Sequence, residues 1–168
     1  MWKKKRAWRP RQTLASTETT AAPLFGRGMA FARRFEGEVG SVFSAWTQAA
    51  VFQRWWVPIS MGAVLESCHL DVRVGGKYRL VFQGVPMAFH GTYLEVVPNS
   101  RLVWTNEESG DSGAITTVTF EAEGSGTRVE LQELYPSEAA FAAAGGGEGA
   151  AAMMSETFDQ LEDWLAKN

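Results

Sequence analysis

Residues 151–168 read AAMMSETFDQLEDWLAKN, and this stretch decides the fold. At helical period, Ala151, Met154, Phe158, Leu161 and Leu165 share one stripe with Trp164 at its edge. Glu156, Asp159, Glu162, Asp163 and Lys167 lie mostly away from it. The spacing predicts an amphipathic helix over 149–168, which needs an apolar surface to cover. Most of the chain before it reads as strand, and strands with one apolar face need a cover of this kind.

Working back from the helix, Gly145, Gly146 and Gly147 interrupt a short helical run at 137–144 that Ser137 can cap. Strand patterns occupy 63–72, 77–83, 87–97, 101–107, 114–122 and 127–134, separated by turn signals such as Gly75 with Gly76, Pro98-Asn99-Ser100 and Gly124-Ser125-Gly126. A further strand at 29–36 makes seven. Connections this short imply antiparallel pairing, because a parallel crossover takes a dozen residues or more. Alternation places Tyr78, Leu80 and Phe82 on one face, with Leu102 and Trp104, Val118 and Phe120, and Val129 and Leu131. The other face carries Lys77, Arg79, Arg101, Thr117, Thr119, Arg128 and Glu130, so one side is dry and the other wet. Between the first two strands, 39–54 has near-helical spacing broken around Thr47, which predicts two short helices in tandem, stopped by Pro58.

Composition narrows the class. The 168 residues, 45% hydrophobic, suit one domain with a core of its own. The apolar runs fall well short of the roughly 20 residues of a membrane span. One cysteine, Cys68, excludes an internal disulfide, and no apolar leader segment precedes the domain, so a cytoplasmic setting is expected. Six basic residues fall within 1–11 with no acid, leaving ten basic against nineteen acidic residues in the remainder. That body, at −9 formally, repels phosphate backbones and gives no expectation of specific nucleic-acid binding. Residues 1–28 show neither apolar period and read as a disordered basic arm ahead of a domain at 29–168. A flexible tail with Met29 as the true start, a transit-like peptide and a functional basic arm are the three readings of it.

The segments VFSAWT (42–47), WWVP (55–58), LDVRVGGKYRL (70–80), GTYLEVVPNSRLVWT (91–105), TVTF (117–120) and GTRVEL (126–131) resemble, in order and spacing, the activator of Hsp90 ATPase homologue 1-like family of the SRPBCC, START-like or Bet v 1-like superfamily. The resemblance runs from about Phe31 to the C-terminus. It implies an α+β helix-grip fold: a curved seven-stranded antiparallel sheet wrapped around a long C-terminal helix, two short helices after the first strand, and a cavity between sheet and helix. The chain departs from the family pattern twice. Gly37-Glu38 stands for the usual Ala-Pro, and Met153-Met154 for the Gly-Trp that commonly opens the last helix.

Reactive constellations are sparse. Cys68 and His69 are strand neighbours whose side chains point to opposite faces, a poor arrangement for sharing a proton. Two histidines without closely spaced carboxylates give no metal pattern, and Asp71 with Arg73 reads as a surface pair. No Gly-rich phosphate loop or nucleophile elbow is present, and no cofactor is expected. The aromatic inventory remains. A curved sheet and one helix leave a wedge, and Trp56, Tyr78, Phe82, Phe89, Tyr93, Trp104, Met153, Met154 and Phe158 are the candidate ligand contacts on its walls. Tyr78, Tyr93, His90 and Glu133 are the candidate polar groups, and the Ala/Gly-rich 139–150 a candidate gate.

The expected function is non-catalytic binding of a small hydrophobic molecule. Two alternatives stand beside it: a chaperone-associated or regulatory interaction module, as the family name implies, and a cyclase- or dehydratase-like enzyme in the same cavity. The enzyme reading requires His90 or Glu133 inside that cavity.

Overall fold

A computed structural model describes residues 18–168. The strands are β1 (Thr20–Pro23), β2 (Gly28–Glu36), β3 (Leu65–Leu70), β4 (Lys77–Phe82), β5 (Ala88–Val97), β6 (Arg101–Thr105), β7 (Ile115–Glu123) and β8 (Gly126–Leu134). The helices are α1 (Val39–Thr47), α2 (Ala49–Trp55), α3 (Glu138–Ala143) and α4 (Ala150–Lys167). The strands form one antiparallel sheet in the order β1-β2-β8-β7-β6-β5-β4-β3. From β3 to β8 each strand pairs with its successor, as short connections dictate. The α1–α2 segment carries the chain from β2 to the far edge at β3.

The sheet has eight strands where the sequence pattern predicts seven. The extra one, β1, lies within the stretch read as a disordered arm and pairs with β2, Thr20 opposite Ala32 and Pro23 opposite Met29. Its four residues, TAAP, are all exposed, so no apolar alternation announces it. Backbone hydrogen bonding to an open edge holds it, and Pro23 at its end is tolerated because that edge is outermost. Residues 1–17 of the predicted arm lie outside the described residues.

The inner face carries the predicted alternation. Phe31, Phe35, Val118, Val129 and Leu131 are all but fully buried, and Phe158 and Leu161 of α4 pack onto them. Ala151, placed in the apolar stripe by period alone, is exposed, while Thr157 is buried. The helix also holds the segment after α2 through its polar side. Gln160 Nε2 donates to Trp55 O at 3.0 Å and Val57 O at 2.8 Å, and its Oε1 accepts from Ile59 N–H at 2.8 Å.

Two features bend the sheet around the helix. A bulge breaks the β5–β6 register between Tyr93 and Glu95. Gly91 lies opposite Tyr78, where a Cβ would stand 1.8 Å from Thr105 O and 2.6 Å from a Tyr78 ring carbon. Glycine is required there because the Tyr78 ring lies over the bare backbone.

One charged residue faces inward from β2. Arg33 shares the inner face with Phe31 and Phe35, and its side chain is 5% exposed. Nη1 donates to Asp159 Oδ1 at 2.6 Å and Nη2 to Glu162, and the guanidinium lies 5.6 Å from the Phe35 ring centre. Asp159 and Glu162, placed mostly away from the apolar stripe by period, thus pair α4 with β2.

Candidate ligand cavity

Between the sheet and the N-terminal half of α4 the side chains do not meet, and a cavity of about 780 Å³ remains. Its walls follow from strand alternation. The inward positions of β4 supply Tyr78, Leu80 and Phe82, those of β5 supply Phe89 and Tyr93, and β6 supplies Trp104. Trp46 of α1 and Trp56 just after α2 close one side, and Met153 and Met154 of α4 the opposite one. Met61, Val85, Phe89 and Met153 are 40–54% exposed, so the mouth is apolar as well as the interior.

Eight of the nine candidate contacts lie on this lining; Phe158 does not. It is fully buried, edge-on to Phe35 at 5.3 Å and 6.4 Å from Trp46, one turn beyond Met154 where α4 has already closed against β2. Phe158 is core, packed against Phe35 and Trp46, while Thr157 beside it still lines the cavity. The Ala140, Ala143 and Ala144 side chains of the α3 region complete the wall. Ser137 caps α3 by accepting from Ala140 N–H at 3.0 Å, and Gly145, Gly146 and Gly147 all have positive φ before α4 begins.

The polar groups gather where the β6–β7 loop meets the end of β8. The Tyr78 hydroxyl lies 3.0 Å from both Thr105 O and Asn106 Oδ1 and donates between them. Asn106 Nδ2 donates to Ala114 O and Thr116 Oγ1, each at 2.9 Å, which fixes that oxygen toward Tyr78. Burial pushes the Tyr78 and Tyr93 hydroxyls far up, so both remain protonated. On β8 the inward series Thr127, Val129, Leu131 continues to Glu133, which lies opposite Thr116 and lines the cavity. Burial raises its carboxyl above the ordinary range, and the charge of Glu108, also on the lining, raises it further. Among the described residues, Glu133 has no hydrogen-bond or ion-pair partner for its side chain.

The remaining candidates fall elsewhere. His90 is on the outer face, its Nδ1 3.7 Å from Glu107. Asp71 and Arg73 form an exposed pair at 3.0 Å. Burial pushes the Cys68 thiol up to about 11, which removes it as a nucleophile near neutral pH. Asn106 continues the inward series Leu102, Trp104 within the predicted strand 101–107, but β6 ends at Thr105, so Asn106 and Glu108 reach the cavity from the loop that follows.

The state of Glu133 sets a measurable pH dependence. The unfolded chain releases this proton in the ordinary carboxyl range, whereas the folded chain holds it to higher pH. Stability therefore falls as pH rises across that interval and is level above it. The groups whose charge or hydroxyl couples to it are Glu108, Tyr78 and Tyr135. Glu133→Gln is expected to raise stability by about 1–3 kcal/mol near neutral pH, with the gain vanishing around pH 4. Urea titrations at both pH values check it, and a gain that is the same at both would refute the assignment.

A curved antiparallel sheet closed on a C-terminal helix around an apolar cavity is the helix-grip architecture of ligand-binding or regulatory domains. Residues 38–166 match the family model "Activator of Hsp90 ATPase homolog 1-like protein", and the chain belongs to that family. Solved structures agree on the fold. A protein from Rhodobacter sphaeroides is 21% identical with a TM-score of 0.80, covering 90% of this chain and 100% of its own. One from Nitrosomonas europaea is 21% identical with a TM-score of 0.75, covering 86% and 97%. A third, from Chromobacterium violaceum, is 25% identical with a TM-score of 0.69, covering 81% and 95%. No curated protein matches the sequence significantly. Among the described residues, no helix is long and apolar enough to cross a membrane.

Proposed function

We propose that the protein binds a small hydrophobic molecule between the sheet and α4. The observation that carries this reading is the cavity itself: about 780 Å³, walled by aromatic rings and methionines, with an apolar mouth. That volume lies within the range of pockets that enclose most of a ligand's surface. Water in such a space finds few polar partners, so an apolar occupant displaces it favourably. The flexible side chains of Met153 and Met154 let one wall adapt to shape. The Ala/Gly-rich segment between α3 and α4 is the gate in this reading, since its glycines allow movement without strain.

Trp46, Trp56 and Trp104 line the cavity, three of the seven tryptophans in the chain, so occupancy is readable as a change in their emission. Screening a lipophilic library is expected to give ligands that quench this fluorescence. At a free concentration hundredfold above Kd, such a ligand raises Tm by roughly 5–10 °C. A broad library that yields neither quenching nor a shift would sink the reading.

One observation favours the enzyme as a second reading. Glu133 is inside the cavity and holds its proton to raised pH, as a general acid must. Recovering the bound ligand chemically unchanged after prolonged incubation with the protein counts against turnover.

A further inference from the structure

Two ionisable side chains face inward from the sheet, and the fold treats them oppositely. Arg33 on β2 is met by Asp159 and Glu162 of α4. Glu133 on β8 is met by nothing: it is half-buried on the cavity wall, its carboxyl open to the cavity and without a partner among the described residues. Thr116 lies opposite it in register, but its hydroxyl, which accepts from Asn106 Nδ2, makes no hydrogen bond to Glu133. Glu108 stands on the same lining and adds a second carboxyl, and none of the described residues that line the cavity is Lys, Arg or His. The lining therefore offers two acids and no cation of the protein's own; one Glu108 oxygen accepts from His90 N–H at 3.4 Å.

A carboxyl left without a partner in such a place is costly to stability, and the cost disappears when a ligand supplies the missing donor. The charge pattern decides which donor. A positive group lets Glu133 release its proton and pair with it, a carboxylate or phosphate meets the charge of Glu108, and a neutral hydroxyl gains only an ordinary hydrogen bond. The acidic body of the protein adds to the same preference. Geometry agrees, since the polar groups occupy the corner formed by the β6–β7 loop and the end of β8. The rest of the wall is aromatic or aliphatic, so a ligand with one polar end and one long apolar body matches it.

We propose that the cavity is selective for a hydrophobic amine, whose protonated nitrogen sits on Glu133 with Glu108 as the second acceptor and whose apolar body lies against Trp46, Trp56, Phe82 and Met154. This rests on the reading of the cavity as a ligand site and names the chemical class of the ligand. Arg33 cannot serve as the internal counter-ion, because its guanidinium is already committed to α4.

The test compares three probes of equal chain length, decylamine, decanol and decanoate, by tryptophan quenching on the full-length protein near neutral pH and about 0.15 M salt. Decylamine is expected to bind on the order of tenfold more tightly than decanol, and decanoate more weakly than either. Glu133→Gln keeps the side-chain size and is expected to erase the amine's advantage over decanol. Glu108→Gln, on a loop and independent of β8 packing, is expected to reduce the advantage in part. Decanol binding with no preference for the amine overturns the proposal and leaves the cavity reading standing. So does an advantage that survives both substitutions, which would trace it to the acidic surface. If none of the three probes binds, and no other lipophilic compound does, both readings fall together.

Discussion

Trp46→Ala is expected to lower the unfolding free energy by about 3–5 kcal/mol, seen as a lower denaturant midpoint at unchanged slope. Trp46 sits on α1 at 1% exposure, where both short helices, the sheet and α4 converge. Its ring centre is 4.7 Å from Trp55, 5.6 Å from Trp56, 5.9 Å from Phe120 and 6.4 Å from both Trp104 and Phe158. Most of these contacts are edge-on, the favoured geometry for aromatic pairs. Removing the indole leaves a void bordered by the ligand cavity, so the space merges with an existing opening rather than collapsing. Partial collapse is what limits the cost of such substitutions elsewhere, which puts this one toward the upper end. Trp46→Phe separates packing from polarity. Among the described residues Trp46 Nε1 has no hydrogen-bond partner, so the phenylalanine loses volume but also removes an unsatisfied donor. Its cost should stay near 1 kcal/mol or below. An alanine variant that costs no more than the phenylalanine one would refute this account of the cluster.

The same alternation that makes this cluster also explains what the sequence discloses. Tyr78, Phe82, Tyr93 and Trp104 can be placed on one face because strand side chains alternate, and that face becomes the cavity wall. Glu133 follows by the same rule from Val129 and Leu131. Period does not tell a wall from a core, since both are apolar. Phe158 and Met154 lie on one helical stripe, yet only Met154 reaches the cavity, and Phe158 is closed off by Phe35 and Trp46. β1 is hidden for a different reason: an edge strand held by backbone bonds carries no side-chain pattern. Glu108 lies past the predicted strand 101–107 and owes its place to a loop path, and the pairing of Arg33 with Asp159 and Glu162 spans more than a hundred residues of chain. Local pattern marks Arg33 as an inward charge without naming what answers it.

That pairing leads to an asymmetric result. Asp159→Asn with Glu162→Gln is expected to cost about 3–5 kcal/mol, whereas Arg33→Met should cost about 1 kcal/mol or less. The argument turns on who is buried. The Arg33 side chain is 5% exposed, while those of Asp159 and Glu162 are 63% and 32% exposed. Neutralising the two acids strands a guanidinium inside the protein, near the Phe35 ring and without a counter-charge from α4. A buried cation without its partner is among the costliest defects a fold can carry. Removing the arginine instead leaves two carboxylates that water can reach, and methionine fills much of the vacated space with apolar atoms beside Phe31 and Phe35. Arg33 Nε already lacks a partner among the described residues, so this substitution also removes an unsatisfied donor. Urea melts of the three proteins decide the matter. If Arg33→Met proved more damaging than the double neutralisation, the ion pair itself, and not the burial of its cation, would be what holds α4 to the sheet.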